Sequence, residues 1–142
     1  MKPKSVTMGD GSKGCLLYCK AMMPVATRFA TGVLIVGAGG IHLWLWWKGG
    51  YRHAPGAVGP AFVVDAVLSS IVGTLVLVRG DRRAAWAGSA LAALALLAYM
   101  TARTVGIGGF QEREWTRLSL TAAASEALVL VLLLTEALVP EG

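Results

Sequence analysis

The stretch "FATGVLIVGAGGIHLWLWW", residues 29–47, decides the fold class of this chain. It contains no Asp, Glu, Lys or Arg, and its only ionisable side chain is the imidazole of His42. A helix needs about 20 mostly apolar residues to cross the hydrocarbon core of a bilayer, so this stretch is long enough for one crossing. An ionisable ring inside such a span is uncommon, and its purpose is the second question that the sequence raises.

Three more apolar blocks follow the first. Residues 54–78 are interrupted only by Asp65, residues 84–102 carry no charge, and residues 118–134 are interrupted only by Glu126. Of the 142 residues 56% are apolar and 15% charged, whereas soluble domains have roughly 45–50% and about 25%. The blocks are also too long and too continuously apolar for barrel strands. The sequence therefore predicts an all-α membrane protein, a four-helix bundle with short loops.

The composition of the connecting segments sets the predicted limits of the helices. We expect one transmembrane domain over residues 24–142, with helices at about 24–47, 58–78, 84–104 and 116–139. The polar, basic segment 1–23 is predicted to be a flexible cytoplasmic tail. The short turn "RGDRR", residues 79–83, predicts that helices two and three are antiparallel neighbours.

The net charge of +5 is better explained by membrane topology than by nucleic acid binding. Eight of the basic residues lie in the tail, at the start of helix one or between helices two and three, and five lie on the opposite side. Cytoplasmic segments carry an excess of Lys and Arg, so this distribution predicts that both termini are cytoplasmic. We expect a multi-pass protein of the bacterial inner (cytoplasmic) membrane that has the lipid bilayer, and no nucleic acid, as a partner.

The tryptophans support the same arrangement. Tryptophan rings favour the two lipid–water interfaces, and four membrane crossings place every one of them near an interface. The five predicted interface anchors are Trp44, Trp46, Trp47, Trp86 and Trp115.

Four ionisable residues lie in or at the end of the predicted spans: His42, Asp65, Arg103 and Glu126. Residues three and four apart share a helix face, and His42, Asp65 and Glu126 each share theirs with Gly, Ala or Ser. Faces of small residues are where membrane helices approach closely. We therefore expect a buried polar cluster in the outer half of the bundle, to which each helix contributes one residue.

The sequence leaves the role of this cluster open. A His42–Asp65 pair and an Arg103–Glu126 pair would serve as structural links between helices, or the residues would form a ligand, cation or proton site. Uncoupled polar positions are the third possibility. One histidine and two carboxylates also suit a divalent metal ion, and neither a metal nor any other cofactor is specified by the sequence.

The two cysteines, Cys15 and Cys19, lie in the tail and are four residues apart. On a helix they would share a face, but a closed zinc site takes four ligands. Because the tail is predicted to be cytoplasmic, where disulfides are rare, we interpret them as two free thiols. No Ser-His-Asp constellation, H-E-x-x-H or C-x-x-C motif is present, and we expect that the protein is not an enzyme.

The segment "TARTVGIGGFQEREW", residues 101–115, resembles a group of small four-span membrane proteins from actinobacteria. The resemblance extends to His42 and Leu43 near the end of helix one, to the Arg103-Thr104-x-Gly turn that leads to Gly-Phe at residues 109–110, and to Glu126 in helix four. It covers most of the chain after residue 25. It implies the four-span architecture and brings no activity with it.

Two functions compete at this point. The first is a non-enzymatic accessory or interaction subunit that forms a homo-oligomer or joins a larger membrane complex, with an exposed stripe at Gly88, Ala92 and Ala95 for association. The second is a proton- or cation-coupled small carrier, or a ligand-binding membrane protein, that uses His42, Asp65 and Glu126.

Overall fold

Four long α-helices make up most of the computed structural model, which describes residues 23–113 and 116–138. Each is long and apolar enough to cross a membrane, and this described part of the chain contains no strand. The predicted all-α four-helix architecture of a small membrane protein is thereby confirmed. The helices are α1 (Val25–Lys48), α2 (Val58–Val78), α3 (Arg82–Thr104) and α4 (Arg117–Leu138), with a short 3-10 turn at Tyr51–His53 between α1 and α2.

One end of the bundle, here called the turn end, carries the tight connection between α2 and α3. Gly80 takes a positive φ of 57°, which costs glycine little because it has no Cβ. Asp81 then caps α3 by accepting a hydrogen bond from the backbone N–H of Ala84 at 2.8 Å. Because of this cap, α3 begins at Arg82 rather than at the predicted residue 84. The backbone N–H of Met23 donates to the Gly80 carbonyl at 2.9 Å and ties the start of the described chain to the turn.

The opposite end, here called the loop end, carries the segments 49–57 and 105–113 and the start of α4. Trp44, Trp46 and Trp47 lie in the last turns of α1 at this end, and Trp86 lies near the start of α3 at the turn end. Trp44, Trp47 and Trp86 are exposed. Their position at a lipid interface stays a prediction, and Trp115, Cys15, Cys19 and the tail to residue 22 lie outside the described residues.

The bundle buries many small residues beside a few large ones, Ile35, Val76, Val129 and Leu133, and exposes most of its other large apolar side chains. Phe29, Trp47 and Leu97 are 65%, 58% and 64% exposed, as expected where the surroundings are acyl chains and not water. Lipid is as apolar as leucine, so membrane helices associate through close packing of small side chains. The interior accordingly includes a set of Gly, Ala, Ser and Thr residues: Thr31, Gly32, Gly39, Ala66, Ser69, Gly73, Ala85, Gly88, Ser89, Ala92 and Ala122.

Helices α1 and α2 approach each other most closely at two glycines of α1. A Cβ added at Gly39 would lie 2.7 Å from the Cβ of Ser69 and 3.2 Å from the carbonyl oxygen of Ala66. A Cβ added at Gly32 would lie 3.1 Å from the carbonyl oxygen of Gly73. Since real Cβ contacts are longer, only glycine permits this helix spacing, and the spacing brings the next turn of α1 against Asp65.

The expected association stripe on α3 is not exposed. Gly88 and Ala92 are buried, and a Cβ added at Gly88 would lie 3.3 Å from Ile35 of α1. Ala95 is half-buried and lines the interior cavities. The prediction that these residues form an outer surface is wrong, because the small residues pack α3 against the other helices of the same bundle.

Candidate functional site

A row of three side chains from three helices crosses the interior of the bundle. The imidazole Nδ1 of His42 on α1 pairs with the carboxylate Oδ2 of Asp65 on α2. Its other nitrogen, Nε2, lies 3.4 Å from Oε1 of Glu126 on α4. The side chains of His42, Asp65 and Glu126 are only 15%, 21% and 8% exposed. The sequence-based expectation that these three groups share a common interior agrees with this geometry.

Helix geometry explains why the three groups meet. At about 1.5 Å per residue, His42, Asp65 and Glu126 lie about 9, 10 and 14 Å from the loop-end termini of their helices. The groups therefore lie at similar depths in the half of the bundle next to the loop end. The glycine contact at Gly39, one turn before His42, sets the short distance between α1 and α2.

Two protons, shared among the three side chains of the row, are enough for each of its two contacts to be a hydrogen bond. A protonated imidazole donates from both nitrogens, one N–H to each carboxylate, whereas a neutral imidazole donates from one nitrogen only. The neutral ring still fits if Glu126 holds the second proton and donates to Nε2. The two arrangements differ only in whether one proton lies on His42 or on Glu126. The geometry therefore allows a proton to move between His42 and Glu126, and Asp65, His42 and Glu126 are here called the proton row.

A water-sized void lies beside the row and is lined by both of its carboxylates. Its volume is about 10 Å³, and Asp65, Ser69 and Glu126 supply its polar lining. Ser69 also donates a long hydrogen bond of 3.5 Å to Oδ2 of Asp65. A void of this size with several polar partners meets the requirements for one ordered water, which would link the two carboxylates by a second route.

A much larger cavity adjoins the other side of the row. It has a volume of about 370 Å³ and lies between α2 and α3, where His42 and Asp65 form part of its wall. The two helices are in contact nearer the turn end, where Gly88 faces Val72. Towards the loop end the cavity lies between them, and its rim includes exposed residues such as Val64 and Leu94.

Aromatic rings close the cavity at the loop end. The rings of Tyr51 and Phe62 have centroids 4.6 Å apart, and the ring of Phe110 lies 5.7 Å from that of Tyr51. The Tyr51 hydroxyl donates to the Glu112 carboxylate. Phe62 also meets the His42 ring edge to face at 5.4 Å, so this aromatic group is continuous with the proton row.

A tight turn positions Phe110 and Glu112 over the cavity. Gly108 and Gly109 have φ values of 56° and 86°, and Ile107 and Phe110 exchange backbone hydrogen bonds of 2.7 and 2.9 Å across them. Two successive positive φ angles are what a type I′ turn requires, and glycine adopts them readily. The backbone N–H of Glu112 donates to the Ala102 carbonyl at 3.0 Å, which fixes the loop to the end of α3.

The fourth expected member of the cluster, Arg103, does not join it. Arg103 lies next to the last residue of α3, whereas Glu126 lies about 14 Å from the loop-end terminus of α4. The Arg103 guanidinium stands 5.8 Å from the ring centroid of Tyr99. Glu126 pairs with His42 instead, so the anticipated Arg103–Glu126 pair is not formed. The difference in depth is the physical reason.

Tyr99 has an unsatisfied polar atom beside the cavity. The residue is part of the cavity lining, and its hydroxyl is buried with no hydrogen-bond partner in the described residues. A buried hydroxyl normally has a partner, because leaving one without a partner costs about 1–3 kcal/mol. The Tyr99 hydroxyl is thus a local cost to the stability of the bundle.

The same row contains the ligand types for a metal ion. One donor atom from each of His42, Asp65 and Glu126 lies within 4.8 Å of the others. An imidazole coordinates a metal through one nitrogen, at about 2.0–2.2 Å, whereas in this structure its two nitrogens face opposite carboxylates. Metal binding would require the His42 ring to turn, so the observed geometry suits a shared proton better than a shared metal ion.

Several cavity residues were not singled out as site residues from the sequence: Tyr51, Phe62, Tyr99, Phe110 and Glu112. Phe62 lies three residues before Asp65 and therefore shares its helix face, which was a usable signal. Glu112 lies in a loop, and no periodic pattern predicts that it points into the bundle.

Comparison of the chain with protein-family models, with curated proteins and with solved structures finds no match. The geometry of the row and the cavity is therefore the basis on which a function is inferred.

Proposed function

We propose that this membrane protein binds a small, mostly apolar ligand in the cavity between α2 and α3, and that the row Asp65–His42–Glu126 exchanges a proton as the ligand binds. This is the function of a proton-coupled carrier or of a ligand-binding membrane protein. The observation that carries the proposal is that the row forms part of the wall of a 370 Å³ cavity.

The cavity has the properties of a small-molecule site. Its volume falls within the range of about 300–1,000 Å³ that is typical of ligand pockets, which are mostly apolar with a few polar groups. Here the apolar walls of α2 and α3 surround the polar groups of His42, Asp65 and Glu112.

The row supplies the proton coupling. A ligand that changes the charge or the hydrogen bonding beside Asp65 alters the balance between the two proton arrangements of the row. The change then passes through His42 to Glu126, which is buried behind it. Histidine is the side chain best suited to such a role between about pH 5 and pH 8.

The structure favours this function over that of an accessory subunit. A purely structural row explains the contacts of His42 but not the cavity beside it. The association surface expected at Gly88 and Ala92 is buried, so that hypothesis loses the residues on which it depended. Four helices enclose only a narrow path, and a carrier of this kind would work as a homo-oligomer in the bacterial cytoplasmic membrane.

Photolabelling with benzophenone, a neutral aromatic ketone, tests the proposal on the purified full chain in lipid nanodiscs. We expect adducts on the cavity walls, at residues such as Leu68 and Leu94. Ala98→Phe places a ring in the cavity and should abolish these adducts. Ala93→Phe is the matched control, since Ala93 is exposed on the same helix and is not part of the lining.

The proton coupling is tested in the same assay. The yield of cavity adducts should change across roughly pH 5 to 8, and this dependence should disappear in the double variant Asp65→Asn, Glu126→Gln. Adducts that survive Ala98→Phe would overturn the proposed binding site. A wild-type yield that does not vary with pH would overturn the coupling.

A further inference from the structure

We infer that the ligand is a lipophilic organic cation, an amine or quaternary ammonium compound with an apolar body. This inference rests on the proposed function and specifies its ligand class. It follows from three features of the cavity: the charge of its walls, the group of aromatic rings at its loop end and the position of its opening.

The walls of the cavity are net negative. Asp65 and Glu112 are part of the lining, and Glu126 lies directly behind His42. The row carries one negative charge in either of its two-proton arrangements, and Glu112 adds a second. His42 is the only basic side chain among the lining residues. The Arg103 guanidinium lies over Tyr99 and is not part of the lining.

Buried negative charge of this kind calls for a cation. Its attraction for a positive group is far stronger in a low-dielectric site than in water. An anionic ligand would be repelled by Asp65 and Glu112, and a neutral ligand would leave the charge uncompensated. A compact metal ion would need donor atoms converging on one point, which the opposed nitrogens of His42 do not provide.

The aromatic rings favour an organic cation. Tyr51, Phe62 and Phe110 form a continuous group with centroid separations of 4.6 and 5.7 Å, and the Glu112 carboxylate accepts a hydrogen bond from Tyr51. Ring faces attract ammonium groups, and clusters of aromatic rings recognise quaternary ammonium ligands. The cationic head would therefore lie between this aromatic group and Asp65.

The opening of the cavity favours an apolar body. Val64 and Leu94, on facing helices, are 56% and 63% exposed and line the cavity. Both lie within the apolar length of their helices, so the opening faces acyl chains. A ligand that enters by this route must itself partition into lipid.

A matched pair of competitors tests this inference in the benzophenone assay. Benzyltrimethylammonium and neopentylbenzene have nearly the same shape and differ in one central atom, a positively charged nitrogen or a neutral carbon. We expect the ammonium compound to suppress the cavity adducts, and Glu112→Gln to weaken that suppression about tenfold without changing the effect of neopentylbenzene. Glu136→Gln is the matched control, because Glu136 lies towards the turn end of α4 and is not part of the lining.

A second variant covers the case in which Glu112→Gln disturbs the loop. Phe110→Leu keeps an apolar side chain but removes one ring. It should weaken the suppression of adducts by the ammonium compound several fold and leave the effect of neopentylbenzene unchanged. If both competitors act equally in the wild type, or if neither removes the cavity adducts, the cationic ligand class is wrong while the proposed binding site stands. The absence of cavity adducts from the start would instead contradict the proposed function itself.

Discussion

His42 makes two contacts that neither carboxylate can replace. It lies between Asp65 and Glu126 and neutralises part of their charge in a site where water is scarce. Removing one member of a buried ionic group leaves the others uncompensated, which costs about 3–5 kcal/mol. The imidazole is thus both the centre of the proposed proton relay and the residue that lets the two acids share the interior.

A stability measurement tests the role of this residue. We expect His42→Phe to lower the free energy of unfolding in detergent micelles by about 3 kcal/mol. The control is His53→Phe, since His53 is exposed in the loop and should tolerate the change. Adding Asp65→Asn and Glu126→Gln to His42→Phe should restore part of the loss, because neutral side chains need no counter-charge. Equal losses in the two single variants would contradict this account.

At the scale of the helices, the pairing of α1 with α2 builds the site. Gly39 allows the backbones to approach at Ala66 and Ser69, which lie directly after Asp65 and one helical turn after it on α2. The small residues of α3 likewise allow close packing against α1 and α4, since a Cβ added at Gly88 would meet Ile35 of α1 and Leu133 of α4. The cavity remains where α2 and α3 are not packed in this way.

Two glycines of α1 offer a comparison within one helix. Gly39→Leu should destabilise the protein by about 1–3 kcal/mol, because the new side chain forces α1 away from α2. Gly37→Leu should be neutral or stabilise by about 0.5–1 kcal/mol, because a Cβ there meets nothing within 4 Å and leucine favours the helix. Thermal unfolding in micelles measures both. A similar loss for the two variants would contradict the role of the close contact at Gly39.

At the scale of the whole molecule, the two ends of the bundle differ in chemistry. The loop end holds the aromatic group that closes the cavity, and the turn end holds the basic segment Arg79–Arg83. The positive-inside rule predicts that the turn end faces the cytoplasm. This orientation would place the proton row in the half of the bundle nearer the cell exterior.

Thiol labelling of intact cells measures the orientation. Cys15 and Cys19 are the only cysteines, and we expect a membrane-impermeant maleimide to label them only after the cells are lysed. In a variant with both replaced by serine, Gln111→Cys should react in intact cells, because Gln111 is exposed in the loop at the opposite end. Labelling of the native cysteines in intact cells would reverse the predicted topology.

The sequence by itself determined the four helices and the residues of the proton row. Apolar runs of sufficient length specify membrane helices whatever their neighbours are, and an ionisable group within such a run has few places to lie except the interior. His42, Asp65 and Glu126 were therefore identifiable from position and helix face. The ends of α1 and α2 could be predicted without knowing their tertiary contacts, because Pro, Gly and charged residues lie next to them.

Only the tertiary structure decided which partners meet and where space remains. Arg103 lies at the loop end of its helix, whereas Glu126 lies deeper in the bundle, so the two side chains do not meet. The small residues of α3 face inwards, although the same spacing along the helix would suit an outer surface equally well. The cavity and its aromatic group depend on how far α2 and α3 separate and on where a glycine turn places Phe110 and Glu112. These are distances between segments far apart along the chain, and the periodicity of one helix contains no information about its distance from another.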